Sequence, residues 1–154
     1  MGEPLIALTG FRLFFTGVGG NSDHNLDQIG IRLEGDEFVV TMRDKNGDDP
    51  FGYLVDFVVI PATSMGGLNV STGTEEGTDA IAVDTHPLST PSHSEFLLVG
   101  WQFNFEKGDH KIRDLGIFRR ADDLTVIYGN SAGNDSFDWR VDWAHVGPMV
   151  IAPE

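Results

Sequence analysis

The chain contains no cysteine, which removes disulfides, thiolate metal sites and a cysteine nucleophile together. Basic residues are also scarce. Ten Lys and Arg stand against 24 Asp and Glu, a formal charge of −14 over 154 residues. A field of that sign repels phosphate backbones and anionic lipid, so nucleic acid and membrane surfaces are not expected partners. It favours solubility and attracts cations. No apolar run approaches the ~20 residues of a membrane-spanning helix. The opening MGEPLIALTGF has neither a basic start nor an apolar stretch of leader length. With no disulfides to form, these features fit a cytoplasmic protein or one released without a signal peptide. A phosphate-cradling loop is missing too, because TGVGGNSD, residues 16–23, lacks the lysine and the helix that would follow.

What the chain does have is apolar content of 40% with eleven Phe, enough for a packed interior in one ordinary domain. It also repeats itself. GFRLFF at Gly10 returns as GWQFNF at Gly100, and from Asp23–His24 to Ile60 the copies align without a gap, His24 meeting His110. The repeats span residues 5–60 and 95–146, joined by a Gly-, Ser-, Thr- and Pro-rich connection, 61–94, with a possible short strand at Ala80–Val83. Each copy is near the size at which an independent core becomes marginal, so fusion into one core is expected.

Apolar alternation over short runs, punctuated by Gly, Asp and Asn, predicts strands. Phe11, Leu13 and Phe15 share a face opposite Arg12, while Trp101, Phe103 and Phe105 share one opposite Gln102, Asn104 and Glu106. Tyr53, Val55, Phe57 and Val59 are answered by Trp139, Val141, Trp143 and His145. Each copy reads as a four-strand unit with no convincing helix. The pair predicts an all-β fold: an antiparallel, jelly-roll-like β-sandwich of about eight strands built by tandem duplication, a closed barrel being the alternative.

The polar residues kept in both copies are candidates for a site. They include Asp23/Asp109, His24/His110, Asp49/Asp135 and Asp56/Asp142. If the strands of each copy run up and down in turn, the first and third connections fall at one end of the sheet. That gathers His24 with Asp44, Asp48 and Asp49, and His110 with Asn130, Asn134 and Asp135. Such groups can cap turns through their own backbone. DKNGDD offers calcium-type oxygens at Asp44, Asn46 and Asp48, although Asp49 stands where the helix–loop–helix calcium pattern needs Gly, and Val55 where it needs Glu. A third reading is a small polar ligand such as a sugar, held by Asp, Asn and His over an apolar platform.

Alternation puts Trp101, Trp139 and Trp143 inside rather than under a sugar. Asp56 and Asp142 fall on the opposite face, within reach of Arg12, Arg32 or Arg140. His86, His93 and His145 show no metal-ligand spacing, and His145 stands where the first copy has Val59, as a core histidine would. No pair of carboxylates is selected for acid–base work, so an enzyme is not expected. The closing VDWAHVG, residues 141–147, resembles the last strand of the snail-agglutinin type of lectin; the likeness spans seven residues and transfers no site.

The expected function is a non-catalytic recognition module. Its leading ligand class is carbohydrate, bound through Asp23, His24, Asp49, Asp109, His110, Asn134 and Asp135, without a required cofactor beyond a possible calcium ion. The alternative is a structural or assembly subunit of a particle, appendage or virion. A homo-oligomer is compatible with both, since exposed strand edges pair readily between subunits.

Overall fold

The computed structural model describes residues 3–15, 26–44, 50–79, 83–87, 94–105, 112–120, 123–130 and 137–148. They form ten strands: β1 Leu5–Phe15, β2 Leu26–Glu34, β3 Glu37–Asp44, β4 Phe51–Ile60, β5 Leu68–Asp79, β6 Val83–Pro87, β7 Glu95–Phe105, β8 Ile112–Arg120, β9 Asp123–Asn130 and β10 Phe137–Pro148. One short 3-10 turn, Ala62–Gly67, precedes β5. All ladders are antiparallel. Seven strands make a large sheet, and β6, β9 and β8 a small one, in that order.

The two sheets share a single core. Leu124 and Val126 of β9 join Trp101, Phe103, Trp139 and Val141 of the large sheet in one buried cluster. Phe103 sits at its centre, 5.9 Å from the Trp101 ring and 5.7 Å from Phe137. These are the inward positions that strand alternation selects, and the fold is the expected all-β sandwich. No helix among the described residues is long and apolar enough to cross a membrane.

The two halves carry the same ladders. In the first, Phe15 to Gly10 of β1 pair with Phe51 to Asp56 of β4; Thr9 bulges, and pairing resumes at Leu8–Phe57. In the second, Phe105 to Gly100 of β7 pair with Phe137 to Asp142 of β10; Val99 bulges, and pairing resumes at Leu98–Trp143. Every partner and the bulge coincide with the sequence alignment. The β2–β3 and β8–β9 hairpins match as closely, with Asp27 and Arg113 as their bulged residues. Gly35, at φ 65°, takes the left-handed position that a two-residue hairpin needs.

Three features differ from the sequence expectation. Each unit is not a simple up-and-down run, because its first strand pairs with its fourth and its second with its third. The units do not face each other as separate sheets either: β7 of the second half pairs with β2 and touches β1 of the first. Finally, the 61–94 connection is not a plain crossing. It supplies β5, which pairs with β10 along its whole length, and β6, which pairs with β9.

β5 was hidden because it has no apolar alternation. Its inward positions opposite Trp139 and Trp143 are Gly77 and Gly73. A Cβ at Gly77 would lie 2.6 Å from the Trp139 ring. Small residues there are what the large indoles require, and a search for alternating apolar residues misses such a strand.

Candidate functional site

The loop residues singled out by the repeat, Asp23, His24, Asp49, Asp109, His110, Asn134 and Asp135, lie outside the described residues, as do Asn46 and Asp48. Asp44 closes β3, paired through its backbone with Leu26. Among the described residues no three His, Asp or Glu side chains form a metal-type cluster. What the structure does describe are the strand ends that anchor these segments. Phe15 pairs with Phe51 and Leu26 with Asp44, so the segments 16–25 and 45–50 run between the same two pairs of anchors. Phe105–Phe137 and Ile112–Asn130 repeat this arrangement. Gln28 lies opposite Asn104, which brings the Leu26 end of the first half beside the Phe105 end of the second.

The polar residues that the described strands do bring together lie on the outer face of β2, β7, β10 and β5. Alternation turns Trp101, Phe103, Trp139 and Val141 inward, so Gln102, Asn104, Asp138, Arg140 and Asp142 must point out. Pairing sets them side by side. Asn104 Oδ1 accepts from both Gln28 Nε2 and Gln102 Nε2, each at 2.7 Å. Thr78 donates to Asp138, and Thr74 donates to Asp142 Oδ1 at 2.6 Å. The same Asp142 oxygen lies 3.1 Å from Arg140 Nε and 3.0 Å from its terminal nitrogen. Glu76 accepts from the other terminal nitrogen at 3.0 Å.

The hydrogen bond to Asp142 is the main influence holding the Arg140 guanidinium above its usual pKa; desolvation opposes it, and the charges of Asp142 and Glu76 add to it. Arg140 is therefore a fixed cation. The expectation that Asp142 pairs with an arginine holds, and Arg140 is that arginine. Its counterpart Asp56 forms no ion pair with an arginine among the described residues, and Leu54 stands in the place of Arg140.

This face forms a cleft of about 450 Å³ whose polar lining includes Arg32, Glu76, Gln102, Asn104, Asp138 and Arg140. Its two cations, Arg32 and Arg140, are each met by carboxylates, Arg32 by Glu34 and Arg140 by Asp142 and Glu76. Arg32 reaches Glu34 at 3.6 Å, but its Nε is shielded from solvent and has no hydrogen-bond partner among the described residues. Leaving such a donor unpaired is costly. A second cleft, about 300 Å³, lies beyond the Thr74–Asp142 contact and is more apolar, with Leu5, Ile6, Leu33, Val99 and Trp143 in its walls.

Sequence reasoning placed Gln102 and Asn104 on the outer face but had no means of grouping them with Arg140 or Glu76, because that grouping depends on β5. His145 is buried as expected. Its Nδ1 lies 3.3 Å from Ser94 Oγ, and its ring sits against Phe96 and Trp143. His86 lies on β6 opposite Leu124, and His93 is outside the described residues. Against protein-family models, curated proteins and solved structures the chain shows no match.

Proposed function

We propose that the protein is a non-catalytic recognition module, formed by tandem duplication of a four-strand unit, whose ligand class is carbohydrate. The observation that carries this reading is the strand-face cleft of amides, hydroxyls, arginines and carboxylates around Asn104 and Arg140. Planar amide, guanidinium and carboxylate groups are the partners a sugar's hydroxyls use. The neighbouring cleft, with Leu5, Ile6, Leu33 and Val99 in its walls, offers the apolar surface that a sugar ring's C–H face needs. The loop segments anchored at the sheet end extend the same proposal through His24, Asp49, His110 and Asp135.

A glycan array, run with and without calcium, tests this on the wild type and on Arg140→Ala. The wild type should retain a saccharide. Arg140→Ala should lose at least about tenfold in affinity, the worth of one charge-assisted hydrogen bond. Its thermal stability should change little, since partly exposed ion pairs such as Arg140–Glu76 contribute ~0–1 kcal/mol. An array that retains nothing, or a variant that binds as the wild type does, rejects the reading. The calcium arm decides whether an ion at Asp44, Asn46 and Asp48 takes part.

A second reading, an assembly subunit, is favoured by a different observation: the apolar side chains that β4 leaves in solvent.

A further inference from the structure

The repeat makes β4 and β10 equivalent, yet their surroundings differ. Both pair with the first strand of their own half in the same register and with the same bulge. β10 is then covered on its other edge by β5, over twelve successive residue pairs from Phe137–Asp79 to Pro148–Leu68. β4 ends its sheet, with no partner on that edge among the described residues.

Side-chain exposure follows from this. Tyr53 is 60% exposed where its counterpart Trp139 is 2%, and Val59 is 45% where His145 is 1%. Phe57, Leu54 and Val58 are exposed as well. The sequence expected Tyr53, Phe57 and Val59 to be buried like their counterparts, and the missing neighbour strand is why they are not.

A bare edge of this kind is normally blunted by charge, proline, shortness or a cover. From Phe51 to Ile60, β4 has ten residues, no Lys, Arg or Pro, and a single carboxylate at Asp56. The other free edges are different. β5 carries Glu75 and Glu76 among Thr and Gly, and β3 is flanked by Glu37 and Arg43. Of the nine exposed large apolar side chains among the described residues, five lie on β4, with Tyr53, Phe57 and Val59 on one face and Leu54 and Val58 on the other, whereas the edge strands β3 and β8 have one each, Val39 and Phe118.

We infer that β4 is the edge through which two copies of this chain join, strand against strand, the second copy taking the place that β5 takes beside β10. The occupant follows from self-complementarity. An apolar edge of this length is matched on both faces by another β4, and antiparallel pairing of two identical strands is a closed two-fold contact, the commonest arrangement of soluble oligomers. No other described edge strand of a neighbour would bring as many exposed apolar side chains to the contact as a second β4 does. This deepens the assembly reading and stands whether or not the cleft binds a saccharide.

Light scattering across a concentration series of the full chain tests the inference, with Val58→Lys as the variant. Val58 is exposed on the outer face of an edge strand, and lysine there is compatible with the fold while blocking edge pairing. The wild type should be a dimer. Val58→Lys should be a monomer over the same range, its dimer weakened by at least about a hundredfold, because a lysine from each copy would have to give up its hydration at the paired edge. Hydrogen exchange on the wild type supplies a second readout that needs no variant: β4 amides should gain protection as concentration rises, while β5 amides should not. A wild type that stays monomeric into the millimolar range overturns the inference. So does a dimer that survives Val58→Lys, or one that forms without added protection in β4; those last two outcomes leave assembly through another surface intact.

Discussion

Gly30→Ala should cost about 2–3 kcal/mol of unfolding free energy, while the same change at the repeated position, Gly116→Ala, should stay within ~0.5 kcal/mol of the wild type. The two glycines are identical in the alignment but not in their surroundings. A Cβ at Gly30 would sit 2.5 Å from the Trp101 carbonyl oxygen and 2.8 Å from Gln102 Cα, and backbone atoms cannot swing aside as a side-chain tip can. At Gly116 the nearest atom is Ile127 Cβ at 3.7 Å, an ordinary contact.

The difference arises where the halves meet. Gly30 lies in the β2–β7 ladder, which joins the first copy to the second, and among the described residues β8 has no such crossing. Gly100 lies in the same joint from the other side, with its would-be Cβ 3.0 Å from the Ile31 carbonyl oxygen. Urea denaturation of the two variants measures the contrast. Equal losses at both positions would mean that the glycines serve the hairpin and not the joint.

Trp101→Ala should be still more damaging, at about 3–5 kcal/mol, the usual cost of emptying a core site of that size. Trp101 is fully buried, 5.0 Å from the Phe11 ring of β1 and 5.9 Å from Phe103. It therefore ties the first strand of one half to the first strand of the other. Its Nε1 is also buried without a hydrogen-bond partner among the described residues. That unpaired donor detracts from what the indole contributes, so Trp101→Phe should lose far less than Trp101→Ala. Chemical denaturation followed by circular dichroism reads both variants. An alanine variant as stable as the wild type would remove Trp101 from the core and reopen it as a ligand platform.

The inward aromatic rows were readable because period-two alternation in the sequence maps directly onto the two faces of a strand. Trp101, Phe103, Trp139 and Val141 are where that pattern puts them. The repeat offset, too, became a set of matched cross-strand partners, down to the bulged Thr9 and Val99. Strand neighbours were less accessible. Whether a first strand pairs with its second or its fourth is decided by long-range packing, and the alternation is the same either way.

β5 escaped for a different reason. A strand whose inward residues are Gly73 and Gly77 is shaped by the indoles it meets, and those lie 60 or more residues away in the chain. The outer-face cleft inherited this difficulty. Gln102 and Asn104 were visible as outward polar residues, yet Glu76, Thr74 and Thr78 joined them only through β5. The repeat also promised a symmetry that the fold does not keep. Residues identical in both halves acquire different environments: Asp142 gains Thr74 of β5 where Asp56 has no such strand beside it, and Gly30 meets β7 where Gly116 does not.

That asymmetry connects the two functional readings. The half that β5 covers carries most of the polar cleft, through Gln102, Asn104, Asp138 and Arg140. The half that it does not cover carries the open apolar strand. Recognition and self-association would thus use opposite consequences of the same missing partner, and a two-fold dimer would carry two clefts and gain avidity on a surface displaying repeated ligand.

The most direct test of the central claim is an amide and side-chain chemical-shift map of the full chain titrated with a saccharide retained on the array. Binding in the cleft predicts that the largest changes fall on Gln102, Asn104, Asp138 and Arg140, with the side-chain amides of Gln28 and Asn104 among them. Changes confined to segments 16–25, 45–49, 106–111 and 131–136 would contradict the cleft as the binding surface and return the site to the loop residues around His24 and His110.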